Sequence, residues 1–457
     1  MLFLRFTQLF PVKKTLKERN NDFMNSKYIL LFLFFLPLKI FSQDSLLTLQ
    51  QAIEISLKNN YEIRIATNKK DQQENNNSAG NSGMLPTLDA NASYTRSSNS
   101  LKQKYSNNLE VNRNASLSTN AIADLAATWT IFNGMKMFNT KEKLSELYML
   151  SQDELKIQIE NSLLKLVTAY YSIVKQQQLL KSMREEILFS KERVTIAERK
   201  MENGSGSRLE WLQSKTDFNR QRAIEIALES DIDAERLNLN LLMGRKIETS
   251  FVVEDTVIIT YKPMIEDLKK SVIDQNNQLN YFKRNQRISK LELKEKQSLR
   301  FPLINLNAHY IYSKTTNEAG FTLLNQINGF NYGASATIPL FHGLTINKQI
   351  KNSKIDALNS DILFENMQSQ INSDLFNAWR TFKKNLELLQ IEEQNIGFAQ
   401  EVLSVSQERY RIGMSTVVEQ QDVQRTFEEA MKRLAEARFN AKISETILRK
   451  LNGELMK

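Results

Sequence analysis

Two stretches of the chain, residues 135–203 and 344–412, carry no proline and between them one glycine, Gly397. Proline breaks helices and glycine weakens them, so each stretch can run as one helix. At 1.5 Å per residue such a helix is about 100 Å long. That exceeds the width of an ordinary domain, so the molecule must be elongated, with its long helices side by side. The rest of the composition agrees. Only 13 Gly and 6 Pro occur in 457 residues, which favours long helices over many turns.

The two stretches belong to a repeat. "WTIFNG" at 129–134 matches "IPLFHG" at 338–343, an offset of 209 that also relates Gly204 to Gly413 and Gly244 to Gly453. Earlier positions align at 216, as with Asn60 and Asn276, Ile63 and Leu279, Pro86 and Pro302. Four segments of the chain are expected: 1–42, a leader; 43–250, a first repeat; 251–261, a short β-prone piece, "FVVEDTVIITY", packed outside the helices; and 262–457, a second repeat. Each repeat reads as a helix of about 36 residues (48–83, 264–300), two alternating segments, the long helix, and a returning helix of about 37 residues (207–243, 416–452). The two shorter helices together equal the long one, so stacked end to end they would flank it. Leu166, Tyr170, Ile173, Gln177 and Leu180 step by four and three, and Leu375, Trp379, Phe382, Leu386 and Leu389 repeat those steps. This is a coiled-coil seam, which by itself would also suit a soluble helical bundle.

The alternating segments argue against a bundle. In "LDANASYT", Leu88, Ala90, Ala92 and Tyr94 share one face and Asp89, Asn91, Ser93 and Thr95 the other. Ile304, Leu306, Ala308 and Tyr310 alternate with Asn305, Asn307 and His309, and the return segments through Trp129 and Ile338 behave alike. Period two with one apolar and one polar face is strand geometry. About ten residues per strand with an aromatic near an end fits a membrane barrel, although a soluble sandwich stays open on these segments alone. Four strands cannot close around a usable channel, and lipid does not tolerate open edges. Several chains would each donate four strands, which implies rotational symmetry.

The formal charge of +9 reflects the N-terminus, where residues 1–42 hold seven Lys/Arg and two Asp/Glu, against 54 and 50 in the remainder. No basic patch is left for nucleic acid. "YILLFLFFLPL" at 28–38, after Lys27, is too short to span a bilayer and has the length of a signal-peptide core. Met24 stands at the spacing of a start residue, so 1–23 reads as over-extended, with cleavage expected near Ser42. The chain has no cysteine, which excludes disulfides and thiol chemistry. No metal spacing, phosphate loop or Ser-His-Asp order occurs. His309 and His342 do not form a metal site on spacing. No cofactor and no enzymatic activity are expected.

Several quoted stretches together resemble the TolC-type outer-membrane efflux protein family over essentially the whole mature chain. They are "LTLQQAIEISLKNNYEIRIA", "LPTLDANASY", the "FNG" and "FHG" ends, "ERYRIGMSTVVEQQDV" and "LAEARFNAKISETILRKLNG". The family often has Asn-Pro where this chain has Asn60-Tyr61. The resemblance implies an α+β membrane protein, a homotrimer whose four strands per chain form a 12-stranded barrel in the outer membrane of a Gram-negative bacterium. An α-helical coiled-coil tunnel would continue it across the periplasm. It implies the exit duct of a tripartite pump, with a periplasmic adaptor protein and an inner-membrane transporter as partners, conducting drugs or other toxic small molecules. A type I protein-secretion duct is the alternative within export, and a non-transporting structural coiled-coil protein the alternative outside it.

Two sites follow. Gly204 and Gly413 sit where a long helix must turn, with Ser207 and Thr416 ready to cap the next helix. The resemblance makes Gly204, Arg208, Gly413, Ser415 and Thr416 adaptor-contact tips. Glu419 and Asp422 lie at i and i+3 on one helix face, while the first repeat has Glu210 and Gln213 there. A solvated helix face accounts for the pair equally. The resemblance makes Glu419 and Asp422 a carboxylate constriction that gates the tunnel, with Tyr410 holding it closed or serving as a buried seam aromatic.

Overall fold

The computed structural model describes residues 45–455. The chain divides into two units, Met1–Ser45 and Leu46–Lys457. The expected leader, 1–42 with Met24, lies outside the described residues.

The order of elements is β1 (Ser45–Leu47), α1 (Leu49–Asn59), α2 (Tyr61–Asn76), β2 (Thr87–Lys104), β3 (Glu110–Asn133), α3 (Lys136–Glu202), α4 (Arg208–Met243), β4 (Phe251–Val253), α5 (Ile265–Gln275), α6 (Asn277–Ser298), β5 (Leu303–Asn317), β6 (Leu324–Thr337), α7 (Thr345–Arg411) and α8 (Val417–Leu451). Both long helices contain 67 residues, and Gly397 does not interrupt α7. No helix among the described residues is long and apolar enough to cross a membrane.

The four long strands form one antiparallel sheet in the order β2-β3-β5-β6. They hold 18, 24, 15 and 14 residues, more than the ten expected, because pairing carries them well beyond the segments of clean alternation. Ile338 falls just past β6. The register aligns the expected faces: Leu88 stands opposite Ala127, Leu125 opposite Tyr310, and Tyr310 opposite Phe330. On the other face side chains bond across strands. Asn91 Nδ2 donates to Asp124 at 3.2 Å, Thr130 Oγ1 to Asn305 at 2.9 Å and Asn307 Nδ2 to Ser335 at 3.1 Å.

The expected first helices of each repeat are broken in two. Asn60 and Asn276 have extended backbone, and each side chain accepts the N–H three residues on, from Ile63 and from Leu279. Each amide also donates to the end of the returning helix of the same repeat, Asn60 Nδ2 to Leu242 O and Asn276 Nδ2 to Leu451 O, both at 2.8 Å. The break is therefore a cap shared between two helices. It allows α2 and α4 to lie along α3, and α6 and α8 along α7, in the stacked arrangement expected from their lengths. Tyr61 stands at the first helical position, where proline would be accepted.

The seam residues lie in two cores near these junctions. Leu166, Tyr170 and Ile173 join Leu239, Met243, Phe251 and Val253, while Leu375 and Phe382 join Leu268, Val272, Leu279 and Leu448. Of the piece at 251–261 only Phe251–Val253 is strand. It pairs with β1, and Phe251 and Val253 are part of the first core. Tyr170 anchors it, since its hydroxyl donates to Leu47 O at 2.9 Å and accepts from the Glu254 N–H at 3.2 Å.

Candidate functional site

The helical end remote from the sheet is built from two hairpins, α3–α4 and α7–α8. Gly413 has φ +78°, its N–H bonds Tyr410 O at 3.1 Å, and the Met414 N–H bonds Arg409 O at 2.8 Å. Gly204 has φ +73° with the same pair of bonds to Met201 O and Lys200 O. This left-handed cap satisfies the last carbonyls of a helix. Ser207 Oγ then accepts the Glu210 N–H at 3.1 Å and Thr416 Oγ1 the Glu419 N–H at 3.2 Å, which starts α4 and α8. Gly204, Arg208, Gly413 and Thr416 are exposed and Ser415 is half-buried. The five tip residues thus fall on two separate turns.

Glu419 occupies the first turn of α8, with Arg409 Nη1 3.8 Å from its carboxylate. Asp422 is 2.5 Å from Arg425 one turn on. Both carboxylates are solvent-exposed, and each has an arginine of its own chain beside it. Tyr410 behaves differently, being 2 % exposed with the Lys200 ammonium over its ring at 5.1 Å. Burial raises its hydroxyl pKa, the Arg193 guanidinium opposes the rise and Glu210 adds to it. Tyr410 is therefore a seam aromatic that also touches the charged groups of the other hairpin.

A buried polar layer between the hairpins was missed in the sequence. Arg193 of α3 is 1 % exposed. Its Nη1 donates to Gln424 of α8 at 2.9 Å and its Nη2 to Asp217 of α4 at 3.3 Å. Gln421 of α8 also donates to Asp217. Ser406 of α7 donates to Gln420 at 2.8 Å, and Gln221 of α4 to Glu428 at 3.1 Å. At the surface Arg411 of α7 pairs with Glu192 of α3 at 3.1 Å. Glu186 of α3 is buried within this layer. Burial and then Glu428 push its carboxyl up to about 7, with Gln424 and Arg193 pulling it back. Extending the three-and-four step through Val417, Gln420, Gln424 and Phe427 would have found this stripe, because its spacing is that of a seam although its letters are polar.

Such an arrangement holds helices together and presents exposed turns. Among the described residues no three His, Cys, Asp or Glu are gathered to hold a metal.

A family model described as outer membrane efflux protein matches residues 52–245 and 270–454. The outer membrane protein TolC of Escherichia coli strain K12 is 22% identical over 425 residues, covering 89% of this chain and 82% of that protein. Two solved structures resemble the fold. The Campylobacter jejuni CmeC outer membrane channel has a TM-score of 0.76 and 14% identity, covering 89% of this chain and 86% of that one. The outer membrane protein VceC of Vibrio cholerae has a TM-score of 0.73 and 13% identity, covering 89% and 96%.

Proposed function

Because the chain belongs to the outer membrane efflux protein family, a family of passive outer-membrane channels and not of enzymes, we propose how this outer-membrane protein forms its exit channel. Three copies each donate β2, β3, β5 and β6 to one 12-stranded barrel, and the helices continue it into the periplasm as a coiled-coil tunnel. The observation that carries this reading is the sheet. Its outer strands β2 and β6 each have one partner, and its apolar face leaves Leu88, Tyr94, Tyr310, Phe330 and Tyr332 exposed. In lipid both open edges must pair with further strands, and the apolar face has its solvent. A second stripe supports self-association: Ile391, Phe398, Val402 and Val405 lie exposed along one side of α7 at coiled-coil spacing.

The duct carries drugs or other toxic small molecules delivered by a periplasmic adaptor and an inner-membrane transporter. Service to a type I protein-secretion system is the alternative. The tips at Gly204, Arg208, Gly413, Ser415 and Thr416 meet the adaptor. Glu419, Asp422 and Tyr410 form the gate, the two carboxylates making rings around a threefold axis that attract cations. Purified protein should migrate as a heat-modifiable oligomer and conduct in planar bilayers. Replacing Glu419 and Asp422 together with Ala should raise single-channel conductance and weaken block by multivalent cations. Unchanged conductance and block would remove these residues from the gate, and absence from outer-membrane fractions would remove the barrel.

A further inference from the structure

Beside the buried polar layer, α3, α4 and α8 border a solvent-open cavity of about 400 Å3. Its walls are largely apolar, with Leu179 and Met183 from α3, Ile224 and Leu228 from α4 and Met431 from α8. Glu186 projects among them. It is 5 % exposed, and its Oε2 has no hydrogen-bond partner. The neighbouring Gln424 amide favours the ionised carboxylate, yet its own Nε2 is also without a partner of normal geometry. A second carboxylate, Glu428, lines the same space and is partly committed, accepting from Gln221 at 3.1 Å and lying 3.7 Å from Arg220. Arg425, Glu429 and Lys432 stand exposed around it, and Arg425 is engaged by Asp422. On the inner side Arg193 is held by Gln424 and Asp217.

We infer that this cavity is a binding site for a lipophilic organic cation, a compact apolar body with one positive charge, seated with that charge against Glu186. A volume of this size suits a small organic ligand. An unpartnered oxygen nine-tenths buried calls for a cation or a donor. An anion would meet Glu186 and Glu428 together, and a neutral body would leave Glu186 unpaired. The site does not depend on conduction by the duct, since it is a cavity within one chain.

Tetraphenylphosphonium and tetraphenylborate have nearly the same shape and opposite charge, so together they separate charge recognition from filling of an apolar space. Isothermal titration of the purified full-length protein at pH 8, against a detergent blank, should give saturable binding of tetraphenylphosphonium and none of tetraphenylborate. Glu186→Gln should weaken it by about tenfold or more, as loss of a close opposite charge in a low dielectric implies. Leu228→Trp, which fills the cavity, should abolish it. In the wild type the affinity should fall as pH drops below about 7, since the Glu186 carboxyl is pushed up to about 7, and this fall should be blunted in Glu186→Gln. Circular dichroism checks that each variant is folded. Should Leu228→Trp fail to fold, the near-isosteric Glu186→Gln decides alone. Equal binding by wild type and Glu186→Gln, equal or tighter binding of tetraphenylborate, or no saturable binding at all, as when a neighbouring copy fills the space, would overturn the assignment.

Discussion

Gly244→Ala tests what holds the stacked helices end to end. Gly244 closes α4 at φ +64°, and a Cβ there would run into the backbone carbonyl of Asn59 at the α1–α2 break. Two effects add. A left-handed conformation costs alanine about 1 kcal/mol. Moving the junction apart also strains two bonds to Leu242 O, from Asn60 Nδ2 at 2.8 Å and Ser56 Oγ at 3.1 Å, each worth about 1 kcal/mol. The sum is about 3 kcal/mol, or roughly a hundredfold in a local opening equilibrium. Gly204→Ala is the matched control, because at φ +73° it has nothing within 4 Å and bears only the first effect, about 1 kcal/mol. Amide hydrogen exchange reads the difference at Ile63, Arg64 and Ile65 in the first turns of α2. Gly244→Ala should speed exchange there by about two orders of magnitude, and Gly204→Ala should leave it unchanged. Equal exchange in the two variants would refute the argument that close approach at Asn59 secures the junction. Gly453→Ala should act in the same way at Gln275.

Burial raises the carboxyls of Glu160 and Glu186 from an ordinary 4.5 to about 7. The folded state therefore holds protons that the unfolded chain releases. The stabilising contribution is complete below about pH 4.5 and is lost as pH rises through about 7. Thermal midpoints should be higher at pH 5 than at pH 8, with at most about 3 kcal/mol per group involved, and Glu186→Gln should flatten the profile. Arg193→Met leaves Asp217 beside an apolar chain and should destabilise by about 3 kcal/mol, and adding Asp217→Leu should recover most of the loss, both read from denaturation midpoints. A bulky Gly413→Trp should abolish export while the protein still reaches the outer membrane as an oligomer, measured by susceptibility assays beside fractionation. Normal resistance in that variant would count against adaptor contact at the tip.

The tips were the most legible part of the candidate site. Gly204, Gly413, Ser207 and Thr416 act within one helical turn of their own position, so residue type and spacing suffice to place the caps. Glu419 and Asp422 were legible as a pair on one face, as was Arg425 one turn beyond Asp422, but the arginine beside Glu419 was not. Arg409 comes from the preceding helix, and its approach depends on how α7 and α8 fold back. Arg193 was hidden because a basic residue in a helical stripe reads as solvated. Its burial comes from α4 and α8, which supply Asp217 and Gln424 from positions 24 and 231 residues away.

The sequence by itself determined what local chemistry controls. Absence of proline and near-absence of glycine set the two long helices, period two separated the faces of the strands, and glycines followed by hydroxyl caps marked the hairpin turns. Tertiary structure decided which strands adjoin, with β3 beside β5 in the order β2-β3-β5-β6. It also decided that Asn60 and Asn276 break their helices. An asparagine inside a polar helical stretch has no local reason to stop it. It does so here because its amide caps the chain ahead and at the same time donates to a carbonyl at the end of another helix, a partner brought within 2.8 Å only once the helices stack.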